Sequence, residues 1–256
     1  AVAGRPAPGT FTRWDADGAG GGGPHPVRRT PITGVRKHTA AAMVRSAFTA
    51  PHATCFLTVD VAETMALVDR LAAEGRERAP RIGFLAVLAR AFLLALRSHP
   101  GLNSRWDERA QEILTYGYVH LGIAAATERG LVVPHIPDAH ALTLAQIAAA
   151  LAELTREARD GSTPPERLTG STITISNLGV FGVDAGTPIL NPGEAAILAV
   201  GAVQRRPWEF EGELALRQVV TLSLSFDHRV VDGAEASAFL TELGALLRDP
   251  ARALLA

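Results

Sequence analysis

Cysteine and lysine are almost missing from this sequence: Cys55 and Lys37 are the only ones of their kind among 256 residues. With one thiol, no internal disulfide can form and no thiolate zinc cluster can assemble, so a reducing cytoplasmic setting is expected. Cys55 lies in the run Thr54-Cys55-Phe56-Leu57-Thr58-Val59, where it reads as a small core hydrophobe with no chemistry of its own. Net charge is missing too. The 25 Lys plus Arg and 26 Asp plus Glu leave −1, with the two signs interspersed. No long-range positive field exists to draw in nucleic acid or an anionic membrane, which points to small-molecule or protein partners. Nor is there an apolar run of membrane length. The most apolar stretch, Ile82 to Leu96, is interrupted by Arg90 and falls short of the roughly 18 to 20 residues that span a bilayer, so it reads as a buried helix. No basic-then-apolar signal segment opens the chain, and the absence of an initiator Met at Ala1 suggests a fragment of something longer.

What is present suits a folded protein: 47% hydrophobic and 20% charged residues are enough to build a sizeable core. Residues 1–30 hold seven Gly and four Pro with few large apolar side chains, the composition of a flexible linker. Residues 31–256 contain no second break of that kind and are read as one domain. Helices are expected at Arg36 to Thr49, Glu63 to Ala73 and Ile82 to Arg97, and strands at Cys55 to Val61, Glu112 to Tyr118, Val119 to Ala126 and Leu131 to Ile136. Thr143 and Gln146 are spaced as a capping box, Leu144, Ile147, Leu151 and Leu154 recur at helical spacing, and Gly161 is placed to end that helix. Ser171 to Ser176, Ala195 to Val203 and Val219 to Phe226 read as further strands, and Ala234 to Arg248 as a last helix. Without a regular β-α-β rhythm, the expectation is an α/β fold with a mixed sheet and helices packed on one side.

The segment Ser225-Phe226-Asp227-His228-Arg229-Val230-Val231-Asp232-Gly233 carries the chemistry. It joins a strand to a helix, so a rigid scaffold can hold the His228 ring toward a cleft. Because imidazole ordinarily titrates near neutrality, such a residue suits general base work. Taken alone, His-x-x-x-Asp-Gly is a weak signal among eight histidines, and Asp232 is equally suited to cap a helix. A metal site is disfavoured, since no third His or carboxylate is paired with His228 and Asp232.

Neighbouring segments sharpen the reading. Together with Thr172-Ile173-Thr174-Ile175-Ser176-Asn177-Leu178-Gly179, Thr187-Pro188-Ile189-Leu190-Asn191-Pro192, Glu194-Ala195-Ala196-Ile197-Leu198 and the opening Gly34-Val35-Arg36-Lys37, the His228 segment resembles the catalytic core domain of dihydrolipoamide acyltransferases of 2-oxo acid dehydrogenase complexes. These are relatives of chloramphenicol acetyltransferase, and the resemblance covers roughly residues 30 to 256. It implies a two-layer sandwich in which His228 takes the proton of the coenzyme A thiol. Ser176 would donate its hydroxyl to the oxyanion, worth about 3 kcal/mol for such donors. Asp232 would hold the loop through an ion pair with Arg36. It also implies a homotrimer with His and Ser from neighbouring subunits at one channel. Such trimers assemble into a larger core, a 24-mer favoured over a 60-mer, with the apolar tail Leu254-Leu255 as the anchor between them. Decarboxylase and dihydrolipoamide dehydrogenase components are the implied partners. Lys37, placed in a helix and not on a tight turn, does not suit lipoylation, so lipoamide is expected from a separate lipoyl domain. No residue is assigned to coenzyme A contacts. Gly182 to Pro188 looks most like the bacterial branched-chain type, with acetyl or succinyl transfer as alternatives. Two rivals are an antibiotic acetyltransferase or condensation domain, which would place a second His where Asp227 stands, and a non-catalytic assembly scaffold.

Overall fold

The computed structural model describes residues 29–73, 81–127 and 130–255; nearly all of the expected 1–30 linker lies outside the described residues. The chain begins with α1 (Gly34–Thr49), β1 (His52–Asp60), α2 (Ala62–Ala73) and α3 (Phe84–Leu96). Five short strands follow: β2 (Ser104–Asp107), β3 (Glu112–Thr115), β4 (Leu121–Thr127), β5 (Gly130–Val132) and β6 (His135–Ile136). Helix α4 (Leu144–Asp160), strands β7 (Ile173–Asn177), β8 (Ala196–Val200), β9 (Gln204–Phe210) and β10 (Glu213–Asp227), and helix α5 (Gly233–Arg248) complete the domain.

The longest apolar run becomes α3, with ten of its thirteen residues buried. A helix apolar on every side has to sit in the middle of a layer, and α3 packs between α4 and α5. Phe92 meets Phe239 of α5 edge to face at 5.3 Å. Arg90, the one interruption, turns its guanidinium to the Leu142 carbonyl at 3.3 Å. Helix α4 starts with the expected capping box between Thr143 and Gln146 and stops at Gly161, whose φ of 67° is open to glycine at little cost.

The main sheet runs β1-β10-β8-β7-β4-β5, with β6 on β4 and β9 on β10. β7 is parallel to β8 and β4, while the other pairs are antiparallel. This is the mixed sheet expected. Period-two alternation separates its faces. Leu222, Leu224, Phe226, Ile173 and Ile175, all at most 1% exposed, enter one core with α3, α4 and α5. Ser223, Ser225, Asp227, Thr174 and Ser176 point the other way. The result is a two-layer α/β sandwich with α2 to α5 on one face. Among the described residues no helix is long and apolar enough to cross a membrane.

A strap, residues 178–191, crosses the opposite face. It is held by Leu178 N–H to the Val200 carbonyl (2.9 Å), by Ala202 N–H to the Val183 carbonyl (2.8 Å), and by Ser46 Oγ of α1, which donates to the Leu190 carbonyl (2.6 Å). It lies so close that a Cβ on Gly201 would collide with the Asp184 carbonyl. On this face Ser223 and Ser225 have no accessible surface.

Three elements differ from the sequence expectation. Leu131 to Ile136 is split because Pro134 has no N–H to continue a ladder. β2 pairs with β3 as a separate hairpin. β10 starts at Glu213, well before Val219, because β9 pairs with its first half across a turn in which Glu211 and Gly212 both have positive φ, 54° and 86°.

Candidate active site

β10 delivers its last side chain, Asp227, to the face away from the helices, and the backbone then turns sharply. The Asp227 carboxylate accepts from Arg229 N–H (3.1 Å), Nε (3.0 Å) and Nη2 (2.7 Å), while its carbonyl accepts from the N–H groups of Val230 and Val231, both at 3.0 Å. These bonds raise the Arg229 pKa above its ordinary value, the hydrogen bonds to Asp227 outweighing burial. His228 stands inside the turn. Its N–H donates to the Pro51 carbonyl (2.9 Å) and its exposed ring lies 5.5 Å from that of Phe226. A fixed backbone with an open ring is the arrangement an acid–base group requires.

Asp232 caps α5. Its Oδ1 accepts from the N–H groups of Ala234 (2.9 Å) and Glu235 (2.8 Å). The ion pair expected with Arg36 is absent among the described residues, where Arg36 is exposed on α1. Two backbone donors already satisfy this exposed carboxylate, so nothing within the chain requires a cation there.

Ser176 is half-buried on β7, flanked across the ladder by the small residues Ala124 and Ala199. Its register sets its distance from His228. Ser176 aligns with Ala199, which aligns with Ser223, five residues before His228 on β10. At ~3.3 Å per residue along the strand and ~4.8 Å for each of two strand spacings, the two residues are roughly 19 Å apart. One chain does not bring them together.

The sequence reading missed Glu194 as a titratable group. It heads the apolar run into β8, a place where a carboxylate is costly, and that was the available signal. It is fully buried, and its Oε1 accepts from Ser171 Oγ (2.5 Å), Thr174 Oγ1 (3.0 Å) and Asn191 Nδ2 (3.2 Å), whereas Oε2 has no partner. Burial outweighs these bonds and pushes its pKa up to about 7. Glu194 borders an open cavity of about 680 Å³ shared with Arg45, Ser46, Arg105, Asn191 and Arg229. Trp106, on β2, was also missed; it faces the Arg229 guanidinium. Among the described residues no group of three or more His, Cys, Asp or Glu could hold a metal ion.

The chain is thus a two-layer α/β domain that presents one imidazole at a strand end and one hydroxyl at the far end of the same sheet. The chain belongs to the 2-oxoacid dehydrogenases acyltransferase (catalytic domain) family, whose model matches residues 24–255. It is 41% identical over 231 residues to the dihydrolipoyllysine-residue acetyltransferase component of the acetoin cleaving system of Bacillus subtilis, covering 90% of this chain and 57% of that protein. It is 37% identical to the lipoamide acyltransferase component of the branched-chain alpha-keto acid dehydrogenase complex of Pseudomonas aeruginosa, covering 90% of this chain and 54% of that one. The chain thus spans little more than half the length of these relatives. The fold matches the cubic core of the pyruvate dehydrogenase multienzyme complex with a TM-score of 0.85 and 35% identity, over 90% of this chain and 95% of the other.

Proposed function

We propose that this domain transfers an acyl group between a dihydrolipoyl arm and coenzyme A, as the core of a 2-oxo acid dehydrogenase complex. The observation that carries the reading is the immobilised His228 turn combined with a serine roughly 19 Å away in the same sheet, so that a site needs His228 of one copy and Ser176 of another. His228 takes the proton from the coenzyme A thiol, and the thiolate attacks the thioester carbonyl. The Ser176 hydroxyl of the neighbouring copy donates to the resulting oxyanion. The carbon–sulfur bond to the lipoyl arm then breaks, and His228 returns its proton to the departing sulfur. Coenzyme A and the acylated arm are both substrates here, the arm being supplied by a separate lipoyl domain.

The exposed apolar side chains Val44, Phe48 and Phe56 support a trimer, since they would otherwise face water. The likeness to a cubic core supports the assembly of trimers into a 24-mer. The names of the relatives, each a component of a larger enzyme system or complex, support further enzyme components as partners, and we take these to be a decarboxylase and a dihydrolipoamide dehydrogenase. A single cysteine supports a cytoplasmic setting. For the acyl group we favour a branched chain, from the resemblance of the Gly182 to Pro188 strap. The relatives span acetyl, branched-chain and succinyl types, and turnover of isobutyryl, acetyl and succinyl dihydrolipoamide ranks them.

The decisive experiment mixes two defective chains. His228→Ala and Ser176→Ala homomers should each lose about 100-fold or more in kcat. Co-assembled in equal amounts, they should regain about a quarter of the parent activity, because a quarter of the interfaces then pair an intact His with an intact Ser. Mixed oligomers no more active than the separate variants would sink the shared-site reading.

A further inference from the structure

We infer that Trp106, on the separate β2–β3 hairpin, is a positioning residue for His228 and acts through Arg229. The inference rests on the acyl-transfer reading above. The Arg229 guanidinium lies over the Trp106 ring, 4.9 Å from its centroid, while its Nε and Nη2 hold the Asp227 carboxylate. The indole is itself oriented: Nε1–H donates to Glu108 Oε2 at 2.6 Å, and the same oxygen lies 3.9 Å from Arg229 Nη1. Arg229 is thus gripped on its edge by Asp227 and on its face by Trp106.

The hairpin can act as a fixed backstop because it is tied to the sheet beside the turn. Ala195 N–H donates to the Ser104 carbonyl at 3.1 Å, and the Ala195 carbonyl accepts from Asp227 N–H at 2.9 Å. Asn103 Nδ2 pins the base of the hairpin to the Tyr116 and Tyr118 carbonyls, at 3.1 and 2.8 Å. The path from Asp227 through Ala195 and Ser104 to Trp106, and back through Arg229, closes on itself around the turn that carries His228. A guanidinium on an aromatic face is held by its quadrupole as well as by contact. Without that face, Arg229 can swing toward solvent, the Asp227 clamp loosens, and His228 loses the definition that proton transfer from a thiol requires.

The test uses the full chain in its assembled form, with coenzyme A varied and acyl dihydrolipoamide saturating. Trp106→Ala should lower kcat about tenfold while KM for coenzyme A stays within about twofold. Trp106→Phe, which keeps an aromatic face, should recover most of the loss. On an Arg229→Gln background, Trp106→Ala should cost nothing further, since both act along one path. Unchanged kcat in Trp106→Ala, or losses that multiply in the double variant, would overturn the inference. If Trp106→Ala assembles poorly, Trp106→Leu fills the space without the aromatic face and should show the same kcat loss. A crystal structure of either variant gives a readout independent of turnover: the ring at 228 should be displaced or multiply placed, and an unmoved ring refutes the inference. A parent protein inactive toward every acyl thioester would instead refute acyl transfer itself.

Discussion

Glu194 makes the stability of this domain depend on pH in the direction opposite to that of most paired carboxylates. In the folded chain its pKa is pushed up to about 7 from an ordinary 4.5, chiefly by burial. Between those two values the unfolded chain releases a proton that the folded chain keeps, so the Glu194 contribution to stability is fullest below pH 4.5 and falls as pH rises. The fall proceeds at ~1.4 kcal/mol per pH unit and accumulates to about 3 kcal/mol by pH 7 to 8. Glu194→Gln leaves an acceptor for Ser171, Thr174 and Asn191 but cannot ionise. At pH 5 the variant should be slightly less stable than the parent, because its amide nitrogen takes the place of the unpartnered Oε2. At pH 8 that penalty should be reversed, the difference between the two having moved by about 2.5 kcal/mol in favour of Gln. Urea unfolding at one protein concentration, followed at several pH values from 5 to 8, measures this difference directly. Parallel stability profiles for the two proteins would refute the reasoning, since they would mean that Glu194 ionises in the fold as it does in water.

Two further predictions concern groups with simpler roles. Asp232→Ala should cost about 1 kcal/mol of stability through the lost cap of α5, whereas Asp232→Asn should keep most of that stability. If Arg36→Ala reproduces the Asp232→Ala loss, the carboxylate also pairs with an arginine across a subunit boundary. Leu254 and Leu255 are 88% and 90% exposed at the end of a 3-10 turn, so Leu254→Asp with Leu255→Asp should leave fold and transfer intact while reducing the mass in solution from a large core to trimers. A core of unchanged mass would remove the terminal anchor from the argument.

The elements legible in the sequence were those whose local pattern and tertiary role agree. The capping box at Thr143, the all-apolar α3 and the alternation from Val219 to Phe226 each state their burial within one element. The elements that were not legible draw their order from elsewhere. β9 mixes half-buried Trp208 with Arg205, Arg206, Pro207 and Glu209, and its turn places a non-glycine residue, Glu211, at positive φ, so no hairpin signal was available. β2 is only four residues long and gains its place from Ala195 and Arg229, far away in sequence. The same holds for the candidate site. His228, Ser176 and Asp232 could be named from motifs, but the role of Trp106 and the raised pKa of Glu194 depend on contacts no spacing rule encodes.

The separation of His228 and Ser176 follows from the sheet and is not an accident of side-chain placement. β7 and β8 run parallel, so residues at their C-terminal ends, Ser176 among them, lie at one edge of the fold. β10 is antiparallel to β8, so its C-terminal end, and the turn that presents His228, lies at the other. A ligand-binding loop could close such a gap only by a long excursion over the sheet, yet the strap already occupies that face and is locked to Val200, Ala202 and His52. Bringing in the opposite end of a second copy requires no new loop. Apolar side chains left on the outer surface of α1 and β1, Phe48 and Phe56 at 85% and 52% exposed, are the surface on which the proposed second copy would pack. Single substitutions to Glu at these two positions should therefore abolish transfer by dissociating the oligomer while each separated chain keeps its melting behaviour, and an active, dissociated chain would refute a site shared between copies.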